Sequence, residues 1–164
     1  MEAVRPARVD DVPRLVELGL AMRDELEPMR GGALWRQREG ASEPLDRTFT
    51  EALDSPDAAL LAGTIDDTIM GYAFARAEVL PNGSRLGVVL DLFVEEGIRE
   101  VGLGEALLGE LLLLFEAWGC VGADATALPG NRAVKNFFEE QGFTARLLRM
   151  HRPGPFSPAG RHGR

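Results

Sequence analysis

The stretch LDLFVEEGIREVGLG, residues 90–104, is the most informative part of this 164-residue chain. It begins as an apolar strand, broken only by Asp91, then passes through a loop with two glycines into a helical pattern that runs to about Trp118. Glycines let the backbone approach a ligand closely, and the first N–H groups of a helix have no partner within it. Together with the helix dipole, such groups bind phosphate. We therefore predict a phosphate-binding strand–loop–helix unit, with Arg99 adding positive charge at its entrance.

Two common phosphate-binding loops fit this stretch poorly. A Walker loop requires Lys and Ser or Thr after its glycines, and Glu105 follows Gly104 here, so that class is excluded. A dinucleotide-binding loop needs a small residue where Leu107 stands, although Asp124 lies at the spacing of its ribose-binding acid. That fold also needs repeated βαβ units, whereas three antiparallel strands are predicted before this loop. The dinucleotide class is therefore disfavoured.

Working outward, the periodicity predicts an α/β fold with one mixed sheet in the order βα(α)βββαβαβ. Residues 28–45 are predicted to be an irregular loop, and turns are predicted at Asp66-Asp67 and at Pro81–Ser84, where Asn-Gly accepts positive φ. The predicted strands are Val4–Val9, Ala59–Ile65, Ile69–Val79, Leu86–Val94, Gly122–Leu128 and Phe143–His151, and the predicted helices are residues 12–26, 45–53, 102–118 and 131–142.

Length and composition predict a single domain over residues 1–152 and a flexible tail over residues 153–164. The net charge of −8 argues against nucleic-acid binding, which needs a basic face. No run of eighteen apolar residues occurs, so we expect no membrane span. The N-terminus lacks the apolar core of a signal peptide, and Cys120 is the single cysteine. Both features predict a cytoplasmic protein without a disulfide framework.

Two blocks of the second half are similar to the GNAT N-acetyltransferase family. The pyrophosphate loop of that family reads Arg/Gln-x-x-Gly-x-Gly/Ala after a strand that ends in Val, and the matching residues here are Val94, Arg99, Gly102 and Gly104. A later helix of the family begins at Asn, carries an aromatic residue seven positions on and ends in Gly-Phe. The matching residues in this second block are Asn131, Phe138, Gly142 and Phe143.

The resemblance implies a GNAT-like fold whose sheet is splayed to accept acetyl-CoA as acyl donor. Neither His151 nor His162 has a cysteine or a second histidine at ligand spacing, so we predict no metal site. The implied pantetheine contacts are the backbone groups of Leu92, Phe93 and Val94. The implied pyrophosphate contacts are the amides of Arg99, Glu100, Val101, Gly102, Leu103 and Gly104. The opposite wall of the cofactor cleft is implied to contain Asn131 and Phe138. Each of the last two also has a plain structural explanation, as a helix N-cap and a core aromatic residue.

The implied reaction is direct attack of an amine on the thioester in a ternary complex. An alkylammonium with a pKa near 10 is only about 0.1% neutral at pH 7, so a base or a water chain is useful. Asp91, in an otherwise apolar strand, is our candidate base; the alternative is a buried carboxylate that accepts backbone hydrogen bonds or orients substrate. Asp124 and Thr126, on one face of the next predicted strand, are weaker candidates.

One departure from the family pattern bears on catalysis. The family's usual general acid is a Tyr at the position of Phe138, and Tyr72 is the only tyrosine of this chain. Because a thiol with a pKa of about 8.5 is a fair leaving group, water can replace that acid. We therefore predict an N-acetyltransferase, with a non-catalytic acyl-CoA-binding module as the alternative. The acceptor is predicted to be a small-molecule or peptide amine, and the sequence leaves a homodimer open.

Overall fold

The computed structural model describes residues 1–99 and 102–157. The predicted pyrophosphate residues Glu100 and Val101 and residues 158–164 of the predicted tail lie outside this part of the chain. Five strands are present, namely β1 (Glu2–Pro6), β2 (Ala58–Ile65), β3 (Thr68–Val79), β4 (Arg85–Val94) and β5 (Cys120–Asp124). Five helices accompany them, namely α1 (Val12–Leu26), α2 (Gly32–Arg38), α3 (Leu45–Leu53), α4 (Leu103–Ala117) and α5 (Arg132–Glu140).

The strands form one mixed sheet in the order β1-β2-β3-β4-β5. The first four strands are antiparallel neighbours, and β5 pairs with β4 in parallel. Both predicted turns are confirmed. Asp66 and Asp67 have φ of 46° and 67°, and Gly83 has φ of 85°. These are the backbone conformations that tight hairpins require, and Asp, Asn and Gly tolerate them best.

Two apolar layers cover the sheet. On one face, α1 and α3 pack over aromatic residues of the central strands, including Tyr72, Phe74 and Phe93. On the other face, α4 crosses the sheet with four of its leucines fully buried, and Phe138 of α5 extends this core. The four are Leu103, Leu107, Leu108 and Leu111. Glycines of β2 and β3 make room for this second helix, because a Cβ on Gly63 or Gly71 would lie 3.0–3.3 Å from Leu103.

Three sequence-based predictions are corrected. Residues 32–38 of the predicted loop form α2, because Gly31 (φ 78°) starts this helix in the left-handed conformation and Trp35 is buried beneath it. Strand β1 ends at Pro6, where the predicted strand continued to Val9. A short 3₁₀ turn follows at residues 9–11. Strand β5 covers Cys120–Asp124 and is thus shorter than predicted and shifted toward the N-terminus.

The last predicted strand, Phe143–His151, is not formed, so the order ends with β5 and α5. From residue 144 onward its side chains are exposed, and Leu147, Leu148 and Met150 contribute nothing to either core. A strand added to the sheet gains stability by burying one face, and β5 is too short and too exposed to offer such a face. Residues 153–157 carry no helix or strand. The flexibility of the tail stays a prediction.

Candidate active site

The sheet opens between β4 and β5. Their parallel pairing runs from Arg85–Cys120 to Val88–Asp124 and stops there, whereas β4 continues to Val94 beside β3 alone. Within the part of the chain that the structure describes, the β5-facing edge of β4 has no strand partner beyond Val88. Backbone N–H and C=O groups along such an edge are available to an extended ligand.

A bulge accompanies this opening. Phe74 pairs with Asp91 and Ala75 with Val89, so Leu90 is an extra residue in β4. A bulge bends a strand and increases its twist, which turns the following residues away from β5. Those residues are the predicted pantetheine contacts Leu92, Phe93 and Val94, and the side chains of Phe93 and Val94 are buried.

The glycine loop lies at the end of this open edge. Gly102 has φ of 86° and is the N-cap of α4, a conformation that glycine adopts without strain. Gly104, in the first turn, faces a gap, because a Cβ built on it would lie 3.7 Å from both the Phe137 ring and the Val94 side chain. The Leu103 side chain is fully buried, so only its backbone amide can serve a ligand.

Arg99 lies between the loop and α1. Its Nε donates to the Val94 carbonyl at 2.8 Å, and its terminal nitrogens donate to the two Glu25 oxygens at 2.8 and 2.9 Å. The guanidinium carbon lies 5.3 Å from the centre of the Phe93 ring, a cation–π contact. The hydrogen bond with Glu25 raises the pKa of Arg99 above its usual value, so the charge is permanent.

The second sequence block forms the adjacent wall. The Asn131 Oδ1 accepts a hydrogen bond from the Val134 amide at 3.4 Å, so this residue caps α5 as its plain structural explanation requires. Phe138 is 9% exposed, and its ring lies 5.4 Å from Phe137 and 5.3 Å from Phe143, measured between centroids. Phe138 is therefore part of the core, whereas Phe137, which the sequence analysis missed, faces the glycine loop.

The predicted base Asp91 lies in a buried polar network, and 1% of it is exposed. Its Oδ2 accepts hydrogen bonds from Tyr72 at 2.6 Å and from Arg23 at 2.9 Å, and its Oδ1 accepts one from the Ala41 amide at 2.9 Å. Arg23 is fully buried and also donates to the carbonyls of Ala41, at 2.6 Å, and Gly19, at 3.1 Å. Both oxygens of Asp91 are thus engaged inside the protein. This geometry does not suit direct proton removal from a substrate, and the base assignment stays a prediction.

The titration of its neighbours follows from this network. Burial, and next the negative charge of Asp91, hold the pKa of Tyr72 well above its usual value, so its hydroxyl stays protonated and donates. Burial alone lowers the pKa of Arg23, but Asp91 and Tyr72 outweigh that effect and the net shift is upward. The Oδ2 atom of Asp91 therefore connects the Arg23 guanidinium and the Tyr72 hydroxyl, because both donate to it.

A cleft of about 620 Å³ lies beside this network, over the surface of β3 and β4 near the sheet opening. One wall comes from the segment after α2 (residues 38–42) and from α3, and the other from Thr126 and Arg149. Charged side chains of both signs line it: the acidic ones are Glu39, Glu51, Asp57 and Glu78, and the basic ones are Arg38, Arg76 and Arg149. The cleft suits a polar ligand that reaches toward the open edge of β4.

Thr126, one of the two weaker candidates for the base, lines this cleft. Asp124, the other, lies at the end of β5 and accepts hydrogen bonds from Arg146. Cys120 is a half-buried free thiol. Within residues 1–99 and 102–157, no group of three His, Cys, Asp or Glu side chains is arranged to hold a metal ion. No helix in the same ranges is long and apolar enough to cross a membrane.

The buried role of Arg23 was missed by the sequence analysis. A signal was present, because Arg23 follows Gly19 by four residues and precedes Leu26 by three, which places a charge on the apolar face of α1. A lone acid in an apolar strand and a lone base on an apolar helix face predict a buried pair. Nothing comparable in the sequence indicates that Ala41 is the backbone partner.

Comparison with known proteins agrees with this architecture. The profile of the acetyltransferase (GNAT) family matches residues 21–143. No curated protein sequence matches the chain significantly.

Solved structures resemble the whole chain at low identity. A glucosamine-6-phosphate N-acetyltransferase from Arabidopsis thaliana has 18% identity and a TM-score of 0.70, over 93% of this chain and 98% of the other. An aminoglycoside acetyltransferase from an uncultured soil metagenomic sample has 17% identity and a TM-score of 0.71, over 94% and 99%. A ribosomal-protein-alanine N-acetyltransferase from Brucella melitensis biovar Abortus 2308 has 17% identity and a TM-score of 0.68, over 94% and 100%.

Proposed function

This chain belongs to the GNAT acetyltransferase family and is an acetyl-CoA-dependent N-acetyltransferase, and from that premise we propose where its substrates bind. Acetyl-CoA lies along the open edge of β4, and the acceptor amine enters through the 620 Å³ cleft. The observation that carries this proposal is the end of β4–β5 pairing at Val88, because it leaves an edge free directly before the glycine loop.

The proposed cofactor contacts follow the chain from the edge to the loop. Backbone groups of Leu92, Phe93 and Val94 bind the pantetheine arm. The pyrophosphate is bound by the amides at the start of α4, including those of Gly102, Leu103 and Gly104, which have no partner within the helix. The family resemblance adds Glu100 and Val101 to this set.

Arg99 contributes charge to the pyrophosphate, and Asn131 and Phe138 form the far wall of the cofactor cleft. Phe138 carries no proton to donate, so its contribution is apolar contact. The Asn131 Oδ1 is already used to cap α5, which leaves its amide nitrogen for a ligand.

The proposed chemistry is direct transfer. A neutral amine attacks the carbonyl carbon of the thioester, the C–N bond forms, the C–S bond breaks, and the sulfur leaves as a thiolate that takes a proton from water. The acceptor ammonium first loses one proton to a water chain in the cleft, because the only acid on β4 is buried and fully engaged. The nitrogen loses a second proton to the same water chain as the amide forms, which replaces the proton that the thiolate took from water. Assistance with proton transfer contributes about 10²–10⁴-fold to the rate of such reactions.

The proposed acceptor is a small-molecule or peptide amine. Two of the similar structures are enzymes named for glucosamine 6-phosphate and for aminoglycosides, both polar amines, and a third is named for a ribosomal protein. The mixed charges of the cleft suit a polar acceptor. We also propose a cytoplasmic location, which a single cysteine suits, and leave a homodimer as a prediction.

The test compares acetyl-CoA binding by calorimetry in the wild type, Gly104→Glu and Gly109→Glu. A side chain at Gly104 would fill the gap before Phe137 and repel the pyrophosphate. Gly109 lies on the same helix with nothing within 4 Å of its Cβ position, so Gly109→Glu adds the same charge harmlessly. We expect Gly104→Glu to weaken binding at least tenfold and the control to bind like the wild type. Equal binding by all three proteins would remove the loop from the cofactor site.

Activity is then measured as CoA release with glucosamine 6-phosphate, an aminoglycoside, a polyamine and a peptide with a free N-terminus. Amine-dependent release that Gly104→Glu loses would support the proposal. A wild type that binds acetyl-CoA but releases none with any amine would favour the non-catalytic alternative.

A further inference from the structure

The acceptor cleft and the cofactor edge are joined by one buried side chain. The wall segment, residues 39–42, forms the α2-side wall of the cleft. Ala41 at its centre is 1% exposed, so its backbone groups have no access to water. Its amide donates to Asp91 and its carbonyl accepts from Arg23, so the only observed partners of this buried peptide belong to the ion pair.

Side-chain packing adds to this attachment. Gly40 lies so close to the pair that a Cβ there would be 2.9 Å from the Trp35 ring and 3.2 Å from an Arg23 nitrogen. Trp35 in turn stacks over the Arg23 guanidinium, 5.2 Å from ring centre to Cζ. The next acid, Glu43, lies 3.5 Å from Arg23 Nε and is held by two bonds from Arg36. Arg23 therefore contacts the middle of the wall segment, at Gly40 and Ala41, and the acid that follows it.

The other end of the connection is β4. Asp91 follows the bulged residue Leu90, which itself lines the cleft, and precedes the proposed pantetheine contacts at residues 92–94. A displacement of the Asp91 carboxylate would thus move the wall segment relative to the strand that presents the acyl group. The wall segment would then fit the acceptor less well, so the loss would appear mainly in the KM for the acceptor.

We propose that Asp91 is a positioning residue, which acts through Arg23 and Ala41 to hold the wall segment at a fixed distance from the open edge of β4. Its carboxylate touches no substrate. This role rests on the proposed function for the identity of the two sites, but the attachment itself can be tested without any ligand.

The test replaces the ion pair and compares it with a matched control. In Arg23→Met/Asp91→Leu, apolar side chains of similar volume replace both charges, so that neither charge is left buried without its partner. Asp91→Asn is the single variant, which leaves Arg23 with only the more distant Glu43 as counter-ion. The control is Asp11→Asn, because Asp11 also accepts hydrogen bonds from an arginine side chain, that of Arg5, and from a backbone amide, that of Arg8, yet has no hydrogen bond with the wall segment.

The readouts are hydrogen exchange at the Ala41 amide, the Kd for acetyl-CoA, and kcat, KM and the pH profile for the fastest amine among the four compounds named above. In the double variant we expect exchange at Ala41 to accelerate at least 100-fold and the acetyl-CoA Kd to change less than twofold. The amine KM should rise at least tenfold, and kcat should fall less than threefold with an unshifted pH profile. Asp11→Asn should leave the Kd, kcat, KM and pH profile unchanged, and it should accelerate exchange at Ala41 by no more than its loss of global stability accounts for.

Two results would overturn the proposal. An Ala41 amide that stays protected in the double variant would show that the pair does not hold the wall segment. A fall of kcat by 100-fold or more, with the acidic limb of the pH profile lost and KM unchanged, would make Asp91 the general base. If the wild type fails to bind acetyl-CoA, the proposed function falls, while the exchange measurement still decides the attachment.

Discussion

Arg99 and Glu25 form a two-bond ion pair that connects the start of the glycine loop to α1, with the arginine side chain lying across Phe93. An arginine that neutralises a carboxylate is not free to neutralise a phosphate. The pair is 37–41% exposed, which is the setting in which such pairs contribute least, about 0.2–1 kcal/mol. Glu25 thus competes with a pyrophosphate for the same guanidinium.

We therefore predict that Glu25→Gln tightens acetyl-CoA binding about two- to fivefold, because the released guanidinium becomes available to the pyrophosphate. Calorimetry at low and high salt measures this. The gain should shrink as salt screens the exposed charges. Arg99→Gln should weaken binding and abolish the effect of Glu25→Gln in the double variant, and additive effects would refute the competition.

A second prediction concerns Gly87, one of the two residues that interrupt the apolar pattern of β4. A Cβ there would lie 2.6–2.7 Å from ring atoms of Phe115, which packs flat against the strand. Gly87→Ala should destabilise the protein by about 1–3 kcal/mol, as overpacking does in other cores. Urea unfolding measures the loss. Adding Phe115→Leu should recover part of it, whereas equal loss in the single and double variants would place the cost elsewhere.

The third prediction is a pH dependence of stability. The hydrogen bonds from Arg5, aided by the Arg8 amide, outweigh the effect of burial and lower the pKa of Asp11 in the folded state. A lowered folded-state pKa means that the stabilisation is complete above the unfolded value, near 3.9, and is lost as the pH falls through the folded value. Asp11→Asn should be less stable than the wild type at pH 7 and equally stable near pH 2. Thermal unfolding across this range measures the difference, and a constant gap would contradict the assignment.

The fourth prediction concerns Phe138, the position at which the family usually has a tyrosine. Phe138→Tyr should raise kcat, because a phenol can donate a proton to the leaving thiolate. The gain should lie at or below the low end of the usual 10²–10⁴ range, since a thiolate leaves readily without help. Steady-state kinetics with CoA release measures it. Unchanged kcat, with acetyl-CoA affinity retained, would mean that the proton comes from another donor.

Positions that require a particular backbone conformation were the best predicted part of the fold. Gly102 and the Asn-Gly turn carry backbone conformations that few other residues accept, so their positions could be read directly. The prediction of an irregular loop over residues 28–45 was wrong where α2 forms. This helix is short, and it is stabilised by Trp35 packing on Arg23, a tertiary contact that has no local sequence signal. The last strand was wrong for the opposite reason, because its alternating apolar residues find no surface to cover.

The cofactor-binding part of the site left a clear signal in the sequence, whereas the surroundings of Asp91 did not. Backbone-binding sites depend on glycines and strand ends, which the sequence displays. The role of Asp91 depends on Arg23, 68 positions away, and on a peptide group 50 positions away, and no spacing rule connects them. Its oddness in an apolar strand was visible, but the difference between a base and a buried ion pair lies in what surrounds it.

The separation of β4 from β5 after Val88 also affects the stability of the protein when no substrate is bound. Beyond Val88, the open edge of β4 lacks the neighbouring strand that would complete the sheet. Acetyl-CoA bound along this edge would take the place of that strand. Its concentration would then set how firmly the enzyme is folded, adding about 2.7 kcal/mol at one hundred times the Kd. The acyl donor would thus stabilise the folded state as well as react, and in a cell with little acetyl-CoA the enzyme would be less stable and more easily degraded.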